Sequence, residues 1–225
     1  MSIKTGLITL HEIKRNRDIL AYIDAADQSM GALGYTEHGQ RHANLVAHIA
    51  ENILLRLGYP ERRAQLAAIA GFLHDVGNMV NREHHGLTGA LLVLEILKPL
   101  GMEMPEMAAI AMAIGNHEEE EGDPVSDIAA AIILADKSDV HRSRVRNQDM
   151  TTFDIHDRVN YAAHRSFLRV DGEKKTIGLE IEIDTEISAL MDYFEIFLSR
   201  MLISRRSAKV LGCDFELTIN KVKLL

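Results

Sequence analysis

The sequence predicts a mainly α-helical fold that ends in a small α+β unit. Two patterns of apolar residues predict it. Up to about residue 146 they recur at helical spacing, for example at Leu45, Ile49 and Ile53. After about residue 150 they alternate with polar residues, most clearly over residues 177–183. The composition agrees, because 47% of residues are hydrophobic, only 5% are aromatic and none is Trp, which suits aliphatic side chains on packed helices.

Five helices are predicted in the first part of the chain, over residues 39–57, 61–76, 87–97, 105–115 and 126–140. Residues that break helices separate them. Gly58-Tyr59-Pro60 follows the first helix, and Gly77-Asn78 follows the second. Ser126 is the expected N-cap of the fifth, because a serine hydroxyl accepts a hydrogen bond from a backbone N–H of the first turn.

The second part of the chain reads β-β-α-β. Strands are predicted at residues 166–170, 177–183 and 215–219. Asp171-Gly172 is the expected turn between the first two strands. A helix is predicted over residues 186–211, with Gly212 in position to end it. We therefore predict a helical domain over residues 1–149 and an α+β appendage of unknown role over residues 150–225, packed directly against it.

Charge, cysteine content and hydropathy exclude several classes of protein. The formal net charge of −8 argues against a general nucleic-acid binder. Cys213 is the single cysteine, so neither an internal disulfide nor a cysteine-type zinc site is expected. The first 20 residues lack the apolar core of a secretory signal, and no stretch approaches the roughly 20 apolar residues of a membrane span. We expect a cytoplasmic protein without membrane segments.

Histidine and aspartate interrupt the apolar helices at informative places. His74-Asp75 ends the apolar run AQLAAIAGFL, where a buried charge is costly unless it is paired or bound to a metal. The alternative is a helix-terminal pair that faces water. His42 lies near the start of the first predicted helix, with His38 four residues before it, so the two share a face if both are helical. Asp136 follows another apolar run. It is expected to be a metal ligand, with a helix cap or an ion pair with Lys137 as the alternatives.

The order of these residues resembles the defining pattern of the HD superfamily of metal-dependent phosphohydrolases. His42 lies in HANLV, His74-Asp75 in GFLHDVGN and Asp136 in ILADKSD, and the resemblance covers about residues 36–146. It implies an HD-domain helical bundle. It also implies that His42, His74, Asp75 and Asp136 bind a first divalent metal.

Some branches of that superfamily bind a second metal through two further histidines. HHGLTGA, which contains His85, resembles their HxxxGA segment, with His84 as the alternative ligand. NHEEEEGDP resembles their HHE segment and retains His117, with Asn116 where a second histidine often lies. The GYP signature of the cyclic-dinucleotide phosphodiesterases is missing, since GDP stands at residues 122–124.

The resemblance implies hydrolysis of a phosphomonoester or phosphodiester by a metal-activated water. One or two ions of Fe, Mn, Zn, Ni, Co or Mg would lower the pKa of water and polarise the phosphoryl oxygens. Asp75 is the expected catalytic residue, binding metal and orienting the water, although ligation alone is the alternative. Lys137 follows Asp136 and is the second expected catalytic residue, contacting phosphate, with a solvated surface lysine as the alternative.

Further polar residues are candidates for substrate binding. Arg142 and Arg146 would share a face if the last helix continued, and paired guanidinium groups suit a substrate with several phosphates, such as a nucleotide. A solvated helix end is the alternative for both. His38 and Glu118 are expected to lie near the site. The expected partner is thus a small phosphorylated substrate, with a homodimer possible.

Two other functions fit the same residues. The chain is either an enzyme or a metal-binding sensor or scaffold that binds a phosphorylated ligand without turnover. An iron-dependent oxygenase with two irons is a weaker third option. Retention of every core ligand favours the enzyme.

Overall fold

The computed structural model describes residues 7–225 and confirms the mainly α-helical fold. The first six residues of the opening segment, which entered the expectation of no signal sequence, lie outside the described residues. The described chain begins with α1 (Leu10–Arg15) and α2 (Arg17–Ala32), which the sequence analysis did not delimit. Thr9 and Glu12 form a capping box at α1, and the Asn16 side chain caps α2.

All five predicted helices are present, with shifted ends. They are α3 (Gln40–Arg56), α4 (Glu61–Leu73), α5 (His85–Leu97), α6 (Met104–Gly115) and α7 (Asp127–Lys137). The prediction that α4 reaches residue 76 is wrong, because a 3-10 turn over Val76–Met79 follows it. Ser126 caps α7 as predicted, since its hydroxyl accepts a hydrogen bond from Ala129 N at 3.1 Å.

The core lies where α4 and α7 pack between the other helices. Every α7 residue from Ile128 to Lys137 is buried. Two glycines permit close backbone approaches here. A Cβ at Gly71 would lie 3.1 Å from the backbone nitrogen of Ala47 on α3, and one at Gly77 would lie 2.0 Å from the carbonyl oxygen of His85. The turn after α4 is therefore held tightly against the start of α5.

The C-terminal part adds two elements to the predicted β-β-α-β order. Its elements are α8 (Ile155–Ala162), β1 (Ala163–Asp171), β2 (Thr176–Ile183), α9 (Leu190–Val210), β3 (Asp214–Ile219) and β4 (Val222–Lys223). They form one sheet in the order β1-β2-β3-β4, in which only the β2–β3 pair is parallel. The loop between β1 and β2 is a four-residue turn over residues 172–175, not a two-residue turn, because the Asp171 carboxylate accepts hydrogen bonds from the backbone of Glu173 and Lys174.

The C-terminal part packs directly on the helical part through α9, which lies against α7. Arg200 of α9 forms an ion pair with Glu119 at 3.3 Å, and Arg206 forms one with Asp123. Both acids belong to the loop between α6 and α7. The division at residue 149 stays a prediction. Within the described chain, no helix combines the length and the hydropathy needed to cross a membrane.

Candidate metal centre

Six predicted ligands converge at the centre of the helical part. His42 lies on α3, His74 and Asp75 follow α4, and Asp136 lies on α7. His85 is the first residue of α5, and His117 follows α6 by two positions. All six are buried, although the sequence separates them by up to 94 positions.

The first group contains His42, His74 and Asp136. The Nε2 atom of His42 lies 3.3 Å from Nε2 of His74 and 3.2 Å from Oδ1 of Asp136. Nε2 of His74 lies 3.6 Å from the same Asp136 oxygen. Three ligand atoms thus surround one point at the spacing that a metal ion requires.

The second group contains His85, His117 and Glu118. The Nε2 atoms of the two histidines are 3.2 Å apart. Oε1 of Glu118 lies 3.1 Å from Nε2 of His85 and 3.4 Å from Nε2 of His117. Glu118 was predicted to contact substrate, yet its carboxylate lies among the candidate ligands.

Asp75 joins the two groups through its two carboxylate oxygens. Oδ2 lies 3.3 Å from Nε2 of His74 and 3.7 Å from Nε2 of His42. Oδ1 lies 3.3 Å from Nε2 of His85 and 4.0 Å from Nε2 of His117. One side chain can therefore serve a metal in each group.

Each of the four histidines is oriented by a hydrogen bond on its far side. Nδ1–H of His74 donates to Gly71 O at 2.9 Å. Nδ1–H of His117 donates to Ile114 O at 2.7 Å. His85 donates in the same way to Arg82 O at 3.1 Å. The neighbouring acceptors thus assign Nδ1 as the protonated nitrogen, and every Nε2 faces the centre.

The chemistry of the donor atoms can be tested against a divalent cation. Oδ2 of Asp75 is buried, and within residues 7–225 it accepts no hydrogen bond although two Nε2 atoms face it. Unprotonated histidine nitrogens and carboxylate oxygens repel one another at such distances unless a proton or a metal ion lies between them. Nitrogen and oxygen donors in this mixture suit Zn, Fe, Mn and similar divalent ions. The residues present therefore fit a bound divalent metal.

The pKa values of two neighbouring histidine ligands shift in opposite directions. Burial works to lower the pKa of His85, but Asp75 and Glu118 raise it to about 9. Burial instead lowers the pKa of His117 to about 4, with Glu118 opposing the effect and the charge of Lys137 adding to it. A metal ion at the second group would therefore compete with the second proton that these carboxylates favour on the His85 ring.

Lys137 lies inside the centre rather than on the surface. Its Nζ atom lies 2.8 Å from Oδ2 of Asp136 and 3.6 Å from Oε1 of Glu118, and it also forms an ion pair with Glu119. Burial works against its charge, yet the three carboxylates raise the pKa of Lys137. The alternative of a solvated surface lysine is wrong, because the side chain is only 4% exposed.

Two further predicted histidines lie near the centre in different ways. His38 precedes α3, so it does not share a helix face with His42, but the two rings lie 5.5 Å apart. His84 is exposed, has a left-handed backbone (φ 57°) and pairs with Glu121. The structure thus turns His85, not His84, toward the ligands.

Arg142 and Arg146 lie outside the ligand cluster. A short 3-10 turn over Arg142–Arg144 replaces the continued helix that would have aligned them. Arg142 contacts the Tyr161 ring and His164, while Arg146 pairs with Asp27 and donates to Tyr35 O. Within the described chain, neither forms a hydrogen bond or ion pair with the six predicted ligands.

Three residues around the ligands were missed by the sequence analysis. Asp139 accepts a hydrogen bond from Nδ1 of His42 at 2.7 Å, and Asn78 donates to Oδ1 of Asp75 at 2.9 Å. Nη1 of Arg82 lies 3.2 Å from Nε2 of His85. A signal existed for Asp139 alone, since it lies three residues beyond Asp136 in the same polar segment.

A separate cavity lies away from the six predicted ligands. It measures about 770 Å³ and lies between α3 and β1, lined in part by Leu45, Ile49 and Leu168. Asp139 borders it, but none of the six predicted ligands does. The candidate metal centre is therefore identified by its converging polar atoms and not by the size of a cavity.

Known proteins and one protein family are similar to this region in sequence. Residues 40–141 match the family described as HD domain. The uncharacterized protein MJ1020 of Methanocaldococcus jannaschii is 29% identical over 199 residues, which cover 78% of this chain and 76% of that protein. Ribonuclease Y of Oceanobacillus iheyensis is 28% identical over 119 residues, 53% of this chain but 21% of that enzyme. Ribonuclease Y of Bacillus pumilus is 29% identical over 121 residues, 22% of its length.

Proposed function

We propose that the chain is a metal-dependent phosphohydrolase that cleaves a phosphate ester of a nucleotide. The match of residues 40–141 to the HD domain family supports the proposal. The observation that carries the proposal is the placement of Asp75. Its two oxygens face two separate groups of ligands, and one of them is buried with no hydrogen bond among the described residues.

The proposed ligands are divided between the groups. His42, His74 and Asp136 would hold one divalent ion, His85, His117 and Glu118 would hold another, and Asp75 would contact both. Bound there, a divalent metal supplies Lewis acidity toward a phosphoryl oxygen and lowers the pKa of water.

Asp75 is the proposed catalytic residue, because its carboxylate can accept a hydrogen bond from the attacking water and so orient it. Asn78 holds that carboxylate in place from the other side. The sequence prediction that Lys137 contacts phosphate stays a prediction. Its present contacts favour a different contribution, in which its charge offsets those of Asp136 and Glu118 and keeps them ionised.

Arg82 is the proposed phosphate contact. Its guanidinium lies across the His85 ring, 3.3 Å from Nδ1 and 3.2 Å from Nε2, and 3.8 Å from the nearest oxygen of Glu118. Asn78 accepts one of its hydrogen bonds at 3.4 Å. Among the described residues, Nε and Nη2 of Arg82 form no hydrogen bond, and a planar guanidinium suits two phosphate oxygens. Arg142 and Arg146 stay predicted substrate contacts. His38 also stays a predicted substrate contact, and its ring lies close to that of His42.

The test combines metal analysis with an activity screen. Purified protein should contain about one or two divalent ions per chain by elemental analysis. It should hydrolyse at least one member of a panel of nucleotides, other phosphomonoesters and phosphodiesters supplied with Mn, Fe, Co, Ni or Mg. Phosphodiesters belong in the panel because relatives carry the name Ribonuclease Y.

The variant His74→Ala should abolish hydrolysis and keep the helical circular dichroism signal. His48→Ala is its matched control, because His48 lies exposed on α3. Full activity of metal-free protein would contradict the mechanism. Fully metallated protein that cleaves no phosphate ester would favour the sensor or scaffold.

A further inference from the structure

A solvent-exposed aromatic ring lies at the edge of the metal centre. Tyr35 lies between α2 and α3 and is 46% exposed. The guanidinium carbon of Arg82 lies 5.5 Å from the centre of its ring, and Nη1 of Arg82 lies 3.2 Å from Nε2 of His85. Two direct contacts therefore lead from a predicted metal ligand to the ring, a span that one nucleotide can bridge.

Tyr35 also borders a cavity of about 430 Å³. The other lining residues are Gly31, Gly34, Arg146, Asn147, Thr152, Asp154 and Asp157. The volume lies within the range of sites for small molecules. Tyr35 thus lines this cavity and also contacts Arg82, which lies beside the predicted ligand His85.

The residues that line this cavity favour one class of ligand. Among the described residues of the lining, Tyr35 is the one aromatic residue, and Asp154 and Asp157 carry carboxylates that can accept hydrogen bonds, one oxygen of Asp154 being used to cap α8. Arg146 stabilises this wall, since it donates to Tyr35 O at 3.1 Å and pairs with Asp27. One aromatic surface beside several acceptors suits a ligand that has a flat ring and donates hydrogen bonds. A nucleoside has both, in its base and in its sugar hydroxyls.

We propose that Tyr35 and this cavity bind the nucleoside part of the substrate, while its phosphate lies at Arg82 and the metal ligands. The inference rests on the proposed hydrolysis of a phosphate ester and names its leaving group. Stacking on Tyr35 selects substrates with an aromatic base, because every base offers a flat face to an aromatic ring. Arg82 binds the phosphate of any substrate, with or without a base.

Two substrate classes separate these contributions. The probes are the four common nucleoside 5′-monophosphates and glycerol 3-phosphate, which lacks a ring. Tyr35→Leu should lower kcat/KM for the nucleotides about tenfold, as expected for the loss of one stacking partner, and leave glycerol 3-phosphate unchanged. Tyr35→Phe should retain the nucleotide preference. Arg82→Ala should lower kcat/KM for both classes.

Tyr22→Leu is the matched control, because Tyr22 is a partly exposed tyrosine on the neighbouring helix α2. A second readout needs no turnover. Binding of adenosine, guanosine, cytidine and uridine, followed by saturation-transfer NMR, should weaken at least fivefold in Tyr35→Leu.

The outcomes separate the two proposals. Equal hydrolysis of both classes, unchanged by Tyr35→Leu, would overturn the nucleoside site and leave the phosphohydrolase standing. Nucleoside binding that depends on Tyr35, without hydrolysis of any ester, would overturn the phosphohydrolase and support the cavity as a ligand site. Neither binding nor hydrolysis would contradict both.

Discussion

The two ligand groups that share Asp75 are supported by different kinds of structure. In the first group, His42 and Asp136 project from α3 and α7, within the packed helical core. In the second, His85 begins α5, and His117 and Glu118 lie in the segment that follows α6. Helix packing therefore forms the first group as the core folds. Polar contacts at helix ends complete the second, so single substitutions should disturb it more selectively.

The largest expected effect comes from the residue that the groups share. Asp75→Asn removes a ligand charge from both, so metal content should fall at each group. Activity should fall by more than the roughly 100-fold typical of losing an outer-shell partner. Elemental analysis and steady-state kinetics measure the two effects. Glu95→Gln, on the exposed face of α5, is the control. Two retained ions in Asp75→Asn would contradict a bridging role.

Single ligand removals should separate the groups. His42→Ala should lose the first ion and His85→Ala the second, each leaving about one ion per chain if both groups fill. His84→Asn is the control for His85→Ala, because asparagine tolerates the left-handed backbone at residue 84. Loss of metal in His84→Asn with full metal in His85→Ala would reverse the assignment of the two neighbours.

An outer-shell substitution should weaken the first group alone. Asp139→Asn removes the charge that orients His42 through the 2.7 Å hydrogen bond. The affinity for the first ion should drop about 10- to 100-fold in a chelator competition. The second group is the internal control, and equal weakening of both ions would show that Asp139 acts on the whole fold instead.

The smallest effect is expected from the appendage. Arg200→Gln breaks the 3.3 Å ion pair with Glu119, which in turn contacts Lys137. The affinity for the second ion should fall by no more than about fivefold, since partly exposed ion pairs contribute at most about 1 kcal/mol. Arg205→Gln, exposed on the same helix, should change nothing. An equal loss of affinity in both variants would contradict an influence of the α9 ion pair on the site.

Local patterns made the helices and the ligand residues predictable. Helical spacing and helix breakers delimited α3 to α7, and the motifs around His42 and His74 pointed to the buried polar positions. The choice between His84 and His85 was not readable, because it depends on a left-handed backbone at residue 84. The burial of Lys137 was equally hidden, since its acidic partners come from a loop that tertiary packing brings to it.

Arg82 and Tyr35 were not predictable, and they share a cause. Arg82 and Tyr35 lie in connecting segments without periodicity, and their contact joins positions 47 residues apart. Neither belongs to a motif that marks ligands. Only the folded arrangement shows that the guanidinium lies beside His85.

If both groups hold an ion, the contacts of Asp75 with both groups would link the two ions thermodynamically. If an ion on Oδ2 changes the affinity at Oδ1 by some factor, an ion on Oδ1 changes the affinity at Oδ2 by the same factor. Metal titrations of the wild-type chain should therefore not fit two independent sites. The deviation from independence measures the coupling free energy that this one carboxylate carries.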